Sequence, residues 1–171
     1  MLHYGSVPRA DLATWELRVD GLVENPQHWT WDEFQKLPRV QVSSDIHCVT
    51  RWSRYDNLWE GVALKEVLRR AVPMAAARFA VVHAAQEFTS KLPLKELEQD
   101  DVLLADKHDG GALTPEHGWP LRLVVPRRYF WKSAKWVSRV ELVERDQPGF
   151  WERNGYHNEA DPWREERFSD W

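Results

Sequence analysis

The sequence predicts an α+β fold, a single mixed, β-rich domain over residues 1–171. Short segments with strand-like alternation outnumber helical stripes, and each helical stretch is brief. A chain of 171 residues suits one domain with a real hydrophobic core. No internal repeat, linker or low-complexity stretch divides it.

Residues 15–20 alternate apolar and polar and stop at Gly21, which predicts a half-buried strand. Thr30 followed three residues later by Glu33 has the spacing of a capping box and opens a short helix that ends near Leu37, before Pro38. Residues 39–43 alternate again and deliver the chain to Cys48, at or just after a strand end. After Gly61, the residues Val62, Leu64, Val67, Leu68 and Ala71 form a helical stripe that Pro73 ends. Residues 78–84 read as a buried strand, residues 93–99 as a short helix with proline at its start, and residues 102–105 as a strand. Residues 106–118 read as a loop from their turn chemistry. Residues 121–125 form a strand stopped by Pro126, and residues 136–143 a strand with apolar groups on both faces, both expected to be covered. Residues 146–171 lack a period but are rich in aromatics, unlike a disordered tail, and are expected to be ordered and packed across the domain.

Composition removes several functions. A net charge of −4 argues against a general nucleic-acid binder. A single cysteine permits no internal disulfide. The N-terminus has no basic segment followed by an apolar run, and the apolar runs are far shorter than the ~20 residues of a membrane span. These readings lead to an expectation of a soluble, cytoplasmic protein. Eleven tryptophans are unusual, and serve either core packing or the walls of a pocket.

Two segments carry chemistry. Cys48 lies in Asp45-Ile46-His47-Cys48-Val49-Thr50-Arg51-Trp52-Ser53, among donors and positive charge that favour a thiolate. The second runs from His117 to Trp136. Between Arg122 and Lys135 it holds five basic residues and no acidic one, on a chain that is acidic overall. That pattern suggests a specific anion site in which arginine gives paired donors, lysine a point charge and Ser133 a hydroxyl. The bland alternatives are a satisfied buried thiol and a solvated basic turn. A cysteine nucleophile with His47, His83, His108 or His117 as base also stays open. A zinc site has no recognisable ligand spacing, and no glycine-rich phosphate loop is present.

The ordered combination of these segments resembles the molybdopterin-binding domain of the sulfite oxidase family, especially its small bacterial stand-alone members. The matching residues are His3-Tyr4-Gly5-Ser6-Val7-Pro8, the strand at 15–21, His47-Cys48-Val49-Thr50-Arg51-Trp52-Ser53, Gly118-Trp119-Pro120-Leu121-Arg122-Leu123-Val124-Val125-Pro126, Lys132-Ser133-Ala134-Lys135-Trp136 and Pro148-Gly149-Phe150-Trp151-Glu152. The resemblance implies the sulfite oxidase fold and a Mo-molybdopterin cofactor. It makes Cys48 the one protein ligand to molybdenum, a soft thiolate on a thiophilic metal whose other sulfurs come from the pterin. It assigns the pterin to His3, Tyr4, His47, His117, Arg122, Ser133 and Lys135.

The sequence departs from true sulfite oxidases at two substrate-binding arginines. Leu2-His3-Tyr4 stands in place of an N-terminal arginine segment, and Ser53 stands where the second arginine follows the ligand cysteine. Arg51 is near that position and is the candidate on the substrate side, with the aromatic tail. The reading is a molybdopterin-dependent oxidoreductase, with oxygen-atom transfer implied by the resemblance. Its substrate is a small molecule, and its electrons pass to or from a separate partner because no haem or flavin motif is present. The alternative is a non-catalytic anion- or partner-binding module that kept the fold.

Overall fold

The computed structural model describes residues 5–169. In chain order its elements are β1 (Glu16–Gly21), β2 (Gln27–Thr30), α1 (Trp31–Gln35), β3 (Val40–His47), β4 (Ser53–Ala63), α2 (Leu64–Ala71), β5 (Phe79–Ala84), β6 (Thr89–Pro93), α3 (Leu94–Leu97), β7 (Leu103–His108), β8 (Gly111–Ala112), β9 (Arg122–Val124), β10 (Val137–Val143) and α4 (Phe150–Arg153). Single 3₁₀ turns lie at Pro115–His117 and Phe130–Lys132. The architecture is the β-rich α+β arrangement expected.

The strands form two sheets. The first has the order β2-β1-β10-β5-β6, with β1 and β10 parallel and the other pairs antiparallel. The second runs β3-β4-β7, and the far edge of β7 carries β8 at one end and β9 at the other. Thr30 caps α1 in a complete capping box with Glu33, a contribution of about 1 kcal/mol. One face of α2 buries Leu64, Val67, Leu68 and Ala71, and the helix closes on Val72 in the left-handed conformation.

Side-chain alternation divides the core in two. Leu104 and Leu123 point into the large core between the sheets, with Leu17, Val82, Val140 and the buried face of α2. Leu103, Ala105 and Val124 point the other way, into a smaller cluster with Ile46 and Trp59. Because successive strand residues face opposite sides, Arg122, two residues before Val124, belongs to the smaller cluster. Its Trp59 ring lies 5.3 Å from the Arg122 guanidinium.

The structure corrects several expectations. The strand read at 39–43 runs on to His47. β4 was not anticipated at all. β7 continues through Asp106, Lys107 and His108, and Gly111–Ala112 pairs with its end, so the first part of the expected loop is sheet. In β10 only one face joins the core. A bulge between Val137 and Arg139 brings Val137 to the side of Val140 and Leu142, while Arg139 and Glu141 lie half-buried on the other, paired with Asp20 and His83.

The segment after β10 packs on Phe88 and Lys91, on the turn that holds Tyr129, Trp131 and Lys132, and on the Cys48 turn. Ala160 is fully buried and its carbonyl accepts from the Tyr129 N–H at 2.8 Å. Trp131, Trp151, Tyr156 and Phe168 form a chain of ring contacts at 4.9–5.3 Å. Most tryptophans therefore serve packing, while Trp52 and Trp163 stand exposed.

Candidate active site

β3 and β4 form a hairpin in which His47 pairs with Ser53 and Ile46 with Arg54. Cys48 is the first residue of the connecting turn. Its N–H donates to the Trp52 carbonyl at 2.9 Å and its carbonyl accepts from the Arg51 N–H at 3.1 Å. Arg51 closes the turn with a left-handed φ of 67°, a conformation that costs a non-glycine residue on the order of 1 kcal/mol. The half-buried Cys48 thiol lies 3.0 Å from the Thr50 hydroxyl. Among the described residues it contacts no histidine. His47 bonds Ser53 at 2.9 Å, His83 bonds Glu141 at 2.8 Å, His108 bonds Asn57 at 3.0 Å and His117 bonds Thr114 at 2.6 Å. The thiol-nucleophile reading thus has no base.

Cys48, His47 and Arg51 open onto a polar cleft of about 410 Å³, lined also by Trp52, Ser53, Tyr129, Pro162, Glu165 and Arg167. Tyr129 is 2% exposed, and its hydroxyl is buried without a hydrogen-bond partner. Its pKa is raised, chiefly by burial. Ser53 is a short side chain committed to His47. The neighbouring Arg54 turns instead to Asp109, at 2.5 Å, and to His108.

The basic cluster is built on β9 and the turns around it. Arg122 is 3% exposed. Its guanidinium donates to the His117 carbonyl at 2.8 Å and the Ser133 carbonyl at 3.1 Å, and lies 4.3 Å from the Phe130 ring centre and 5.3 Å from that of Trp59. Its Nε is buried with no partner. Among the described residues no carboxylate pairs with it, and burial pushes it down to about 9. Lys135 donates to the Glu116 carbonyl at 3.0 Å and is pushed down to about 8 by burial and by the Arg122 charge. His117 is lowered by burial, then by Arg122 and Lys135. The buried Ser133 hydroxyl accepts from the Val125 N–H at 2.9 Å. Gly118, with φ of +111°, lets Arg122 and Lys135 close in; a Cβ there would sit 3.0 Å and 3.1 Å from their Cβ atoms.

Tyr129 and Phe130 join the two halves. Adjacent in the chain, one faces the Cys48 cleft and the next lies beneath Arg122. The structure therefore brings together His117, Arg122, Ser133 and Lys135 on one side and His47, Cys48 and Arg51 on the other. His3 and Tyr4 lie outside the described residues. Tyr129, Trp59 and Arg167 were not singled out from the sequence. Tyr129 sits inside the basic segment and could have been; no local signal marks the other two.

A buried guanidinium with an orphan donor, reinforced by a lysine and a histidine, calls for an anion that the chain does not supply. Among the described residues, no group of three or more His, Cys, Asp or Glu could hold a metal by itself. These donors fit a phosphorylated cofactor that carries most of its own metal ligands. The family model for the oxidoreductase molybdopterin binding domain matches residues 4–151. The chain belongs to this family.

It is a molybdopterin-binding oxidoreductase domain, and molybdopterin is its cofactor. The chain is 45% identical over 170 residues to the uncharacterized oxidoreductase YuiH of Bacillus subtilis strain 168, covering 99% of this chain and 86% of that one. It is 26% identical to nitrate reductase 1 (NADH) of Arabidopsis thaliana over 88% of this chain, but spans 20% of that enzyme. The sulfane dehydrogenase SoxCD of Paracoccus pantotrophus superposes with a TM-score of 0.78 at 24% identity, over 90% of this chain and 43% of that one. That likeness establishes the fold, the sulfite oxidase-type molybdopterin-binding fold. No helix among the described residues is long and apolar enough to cross a membrane.

Proposed function

We propose that this domain carries out oxygen-atom transfer on a small-molecule substrate at a molybdenum ligated by the Cys48 thiolate. Bound molybdopterin supplies a metal that exchanges electron pairs with the substrate as an oxygen atom is moved. The chain's residues supply the rest. Arg122, Lys135 and His117 hold the anionic end of the pterin, Arg122 through the Nε that no protein group takes up. Ser133 fixes the backbone around them by accepting from Val125. His47 is held by Ser53 beside Cys48 and steadies the wall of the cleft.

On the substrate side, Arg51 is exposed in the cleft and the Tyr129 hydroxyl is a buried donor without a partner. Arg51 can orient a polar group at the mouth, which Trp52 narrows, and the Tyr129 hydroxyl stands behind them in the wall of the cleft. Ser53 stands where the resemblance would place one of the two arginines that sulfite oxidases use, which argues against sulfite as the substrate. Electrons reach or leave the domain through a separate partner protein or small carrier.

The observation that carries this reading is the buried, carboxylate-free Arg122 with its orphan Nε. Protein purified from a molybdenum-replete host should contain molybdenum and pterin near one per chain. Cys48→Ser should abolish turnover and lower the molybdenum content while most of the pterin stays bound. Native protein lacking both molybdenum and the fluorescence of oxidised pterin would sink the proposal.

A further inference from the structure

The matched family segment ends at residue 151, yet the cleft beside Cys48 is lined by Pro162, Glu165 and Arg167 from beyond it. We propose that Arg167 is a positioning residue for Cys48, so that the C-terminal segment is part of the active centre rather than a covering on it. This rests on the reading of Cys48 as the metal ligand.

Arg167 Nη1 donates to two successive carbonyls of the ligand turn, Cys48 O at 3.3 Å and Val49 O at 2.5 Å. The same guanidinium lies 4.8 Å from the centre of the Tyr129 ring. One cation therefore ties the turn that bears the thiol to the residue that offers the unpartnered hydroxyl. The backbone at Arg167 is itself fixed. Its carbonyl accepts from His157, Tyr156 bridges to Phe168, and the Ser169 N–H donates to the Gly155 carbonyl.

The turn needs such a tie. The left-handed Arg51 stores strain, and strained residues persist only where their surroundings over-determine them. Within the turn, Cys48 is held by two backbone bonds, to Arg51 and Trp52, and by the contact of its thiol with the Thr50 hydroxyl, none of which fixes the Val49 carbonyl. Rotation of the Cys48–Val49 peptide would swing the thiol, and Arg167 holds the carbonyls on both sides of Val49. A planar guanidinium can bridge two carbonyls and stack on a ring at once, whereas a lysine can take one of these roles.

The test uses the molybdenum-loaded protein with Arg167→Met and Arg167→Lys. Each is assayed for molybdenum, pterin, melting temperature and the electron paramagnetic resonance of the one-electron-reduced metal, poised with dithionite and mediators. The expected result is unchanged pterin content, with a resonance that is shifted and broadened in Arg167→Met and shifted less in Arg167→Lys. Spectra superimposable on wild type would overturn the proposal. If Arg167→Met fails to fold, Arg167→Lys decides on the same criterion. A wild-type resonance that Cys48→Ser leaves unchanged would instead remove the ligand reading itself, so the two failures are distinguishable.

Discussion

The Arg122 guanidinium rests 4.3 Å from the centre of the Phe130 ring, with its terminal nitrogens committed to the backbone and Nε facing no protein acceptor. Stacking and carbonyl bonds orient the cation without neutralising it, which leaves its charge for a ligand. A charge-assisted hydrogen bond contributes roughly 1.5–3 kcal/mol, and about 1.4 kcal/mol is a tenfold change in affinity. Arg122→Met should therefore lower pterin content at least about tenfold with an unchanged far-ultraviolet circular dichroism spectrum. Retention of wild-type pterin would remove Arg122 from the binding site.

Lys135, pushed down to about 8, gives the anion site a pH dependence. Cofactor retention on gel filtration should weaken as pH rises past about 8, because the lysine loses the charge that attracts the phosphate. The stability of cofactor-free protein should move the other way. The unfolded lysine keeps its proton up to its ordinary value of 10.5, so between those limits the unfolded state binds more protons and stability rises with pH. Urea unfolding across this window should show the rise in wild type and a flatter profile in Lys135→Gln. Equal slopes would assign the dependence to other groups.

The legible parts of this fold were those set by local chemistry. Thr30 and Glu33 announce their helix because the capping box is closed within four residues. β4 was hidden because it opens exposed and largely polar, at Arg54, Tyr55 and Asp56, continues with a buried Asn57, and holds the small Gly61 in its second half. Gly61 is required by close approach: a Cβ there would meet the Leu104 carbonyl oxygen at 2.0 Å. Asp106, Lys107 and His108 read as loop because nothing in a polar triplet reveals that β4 and β8 pair with it. At the site, Cys48, Arg122 and Lys135 were visible as chemically unusual residues in unusual company. Arg167 was not, because its partners are backbone carbonyls more than a hundred residues away, and backbone atoms leave no mark in a sequence.

Gly118 should be intolerant of any side chain. Its φ of +111° disfavours L-residues, and an added methyl would press on Arg122 and Lys135 together. Gly118→Ala is expected to cost about 1–3 kcal/mol from the backbone conformation alone, read as a lower urea midpoint. Pterin should be lost in the same variant because both cations are displaced. A stable Gly118→Ala protein with full pterin would show that the cradle yields without consequence.

The tail is held by a buried ion pair. Lys132 and Glu152 side chains are 1% and 5% exposed and in direct contact, and Lys132 Nζ also donates to the Lys91 carbonyl at 3.0 Å. Burial lowers the Lys132 pKa, and Glu152 opposes that shift. Removing one partner of a buried pair leaves an uncompensated charge and costs about 3–5 kcal/mol, whereas replacing both with apolar groups of similar volume is often neutral. Glu152→Gln should therefore lower the urea midpoint markedly and speed proteolysis within residues 146–169, while Lys132→Met combined with Glu152→Leu should recover most of the loss. If the double variant is as unstable as the single one, then α4 is held by packing of Phe150 and Trp151 and not by the charge it buries.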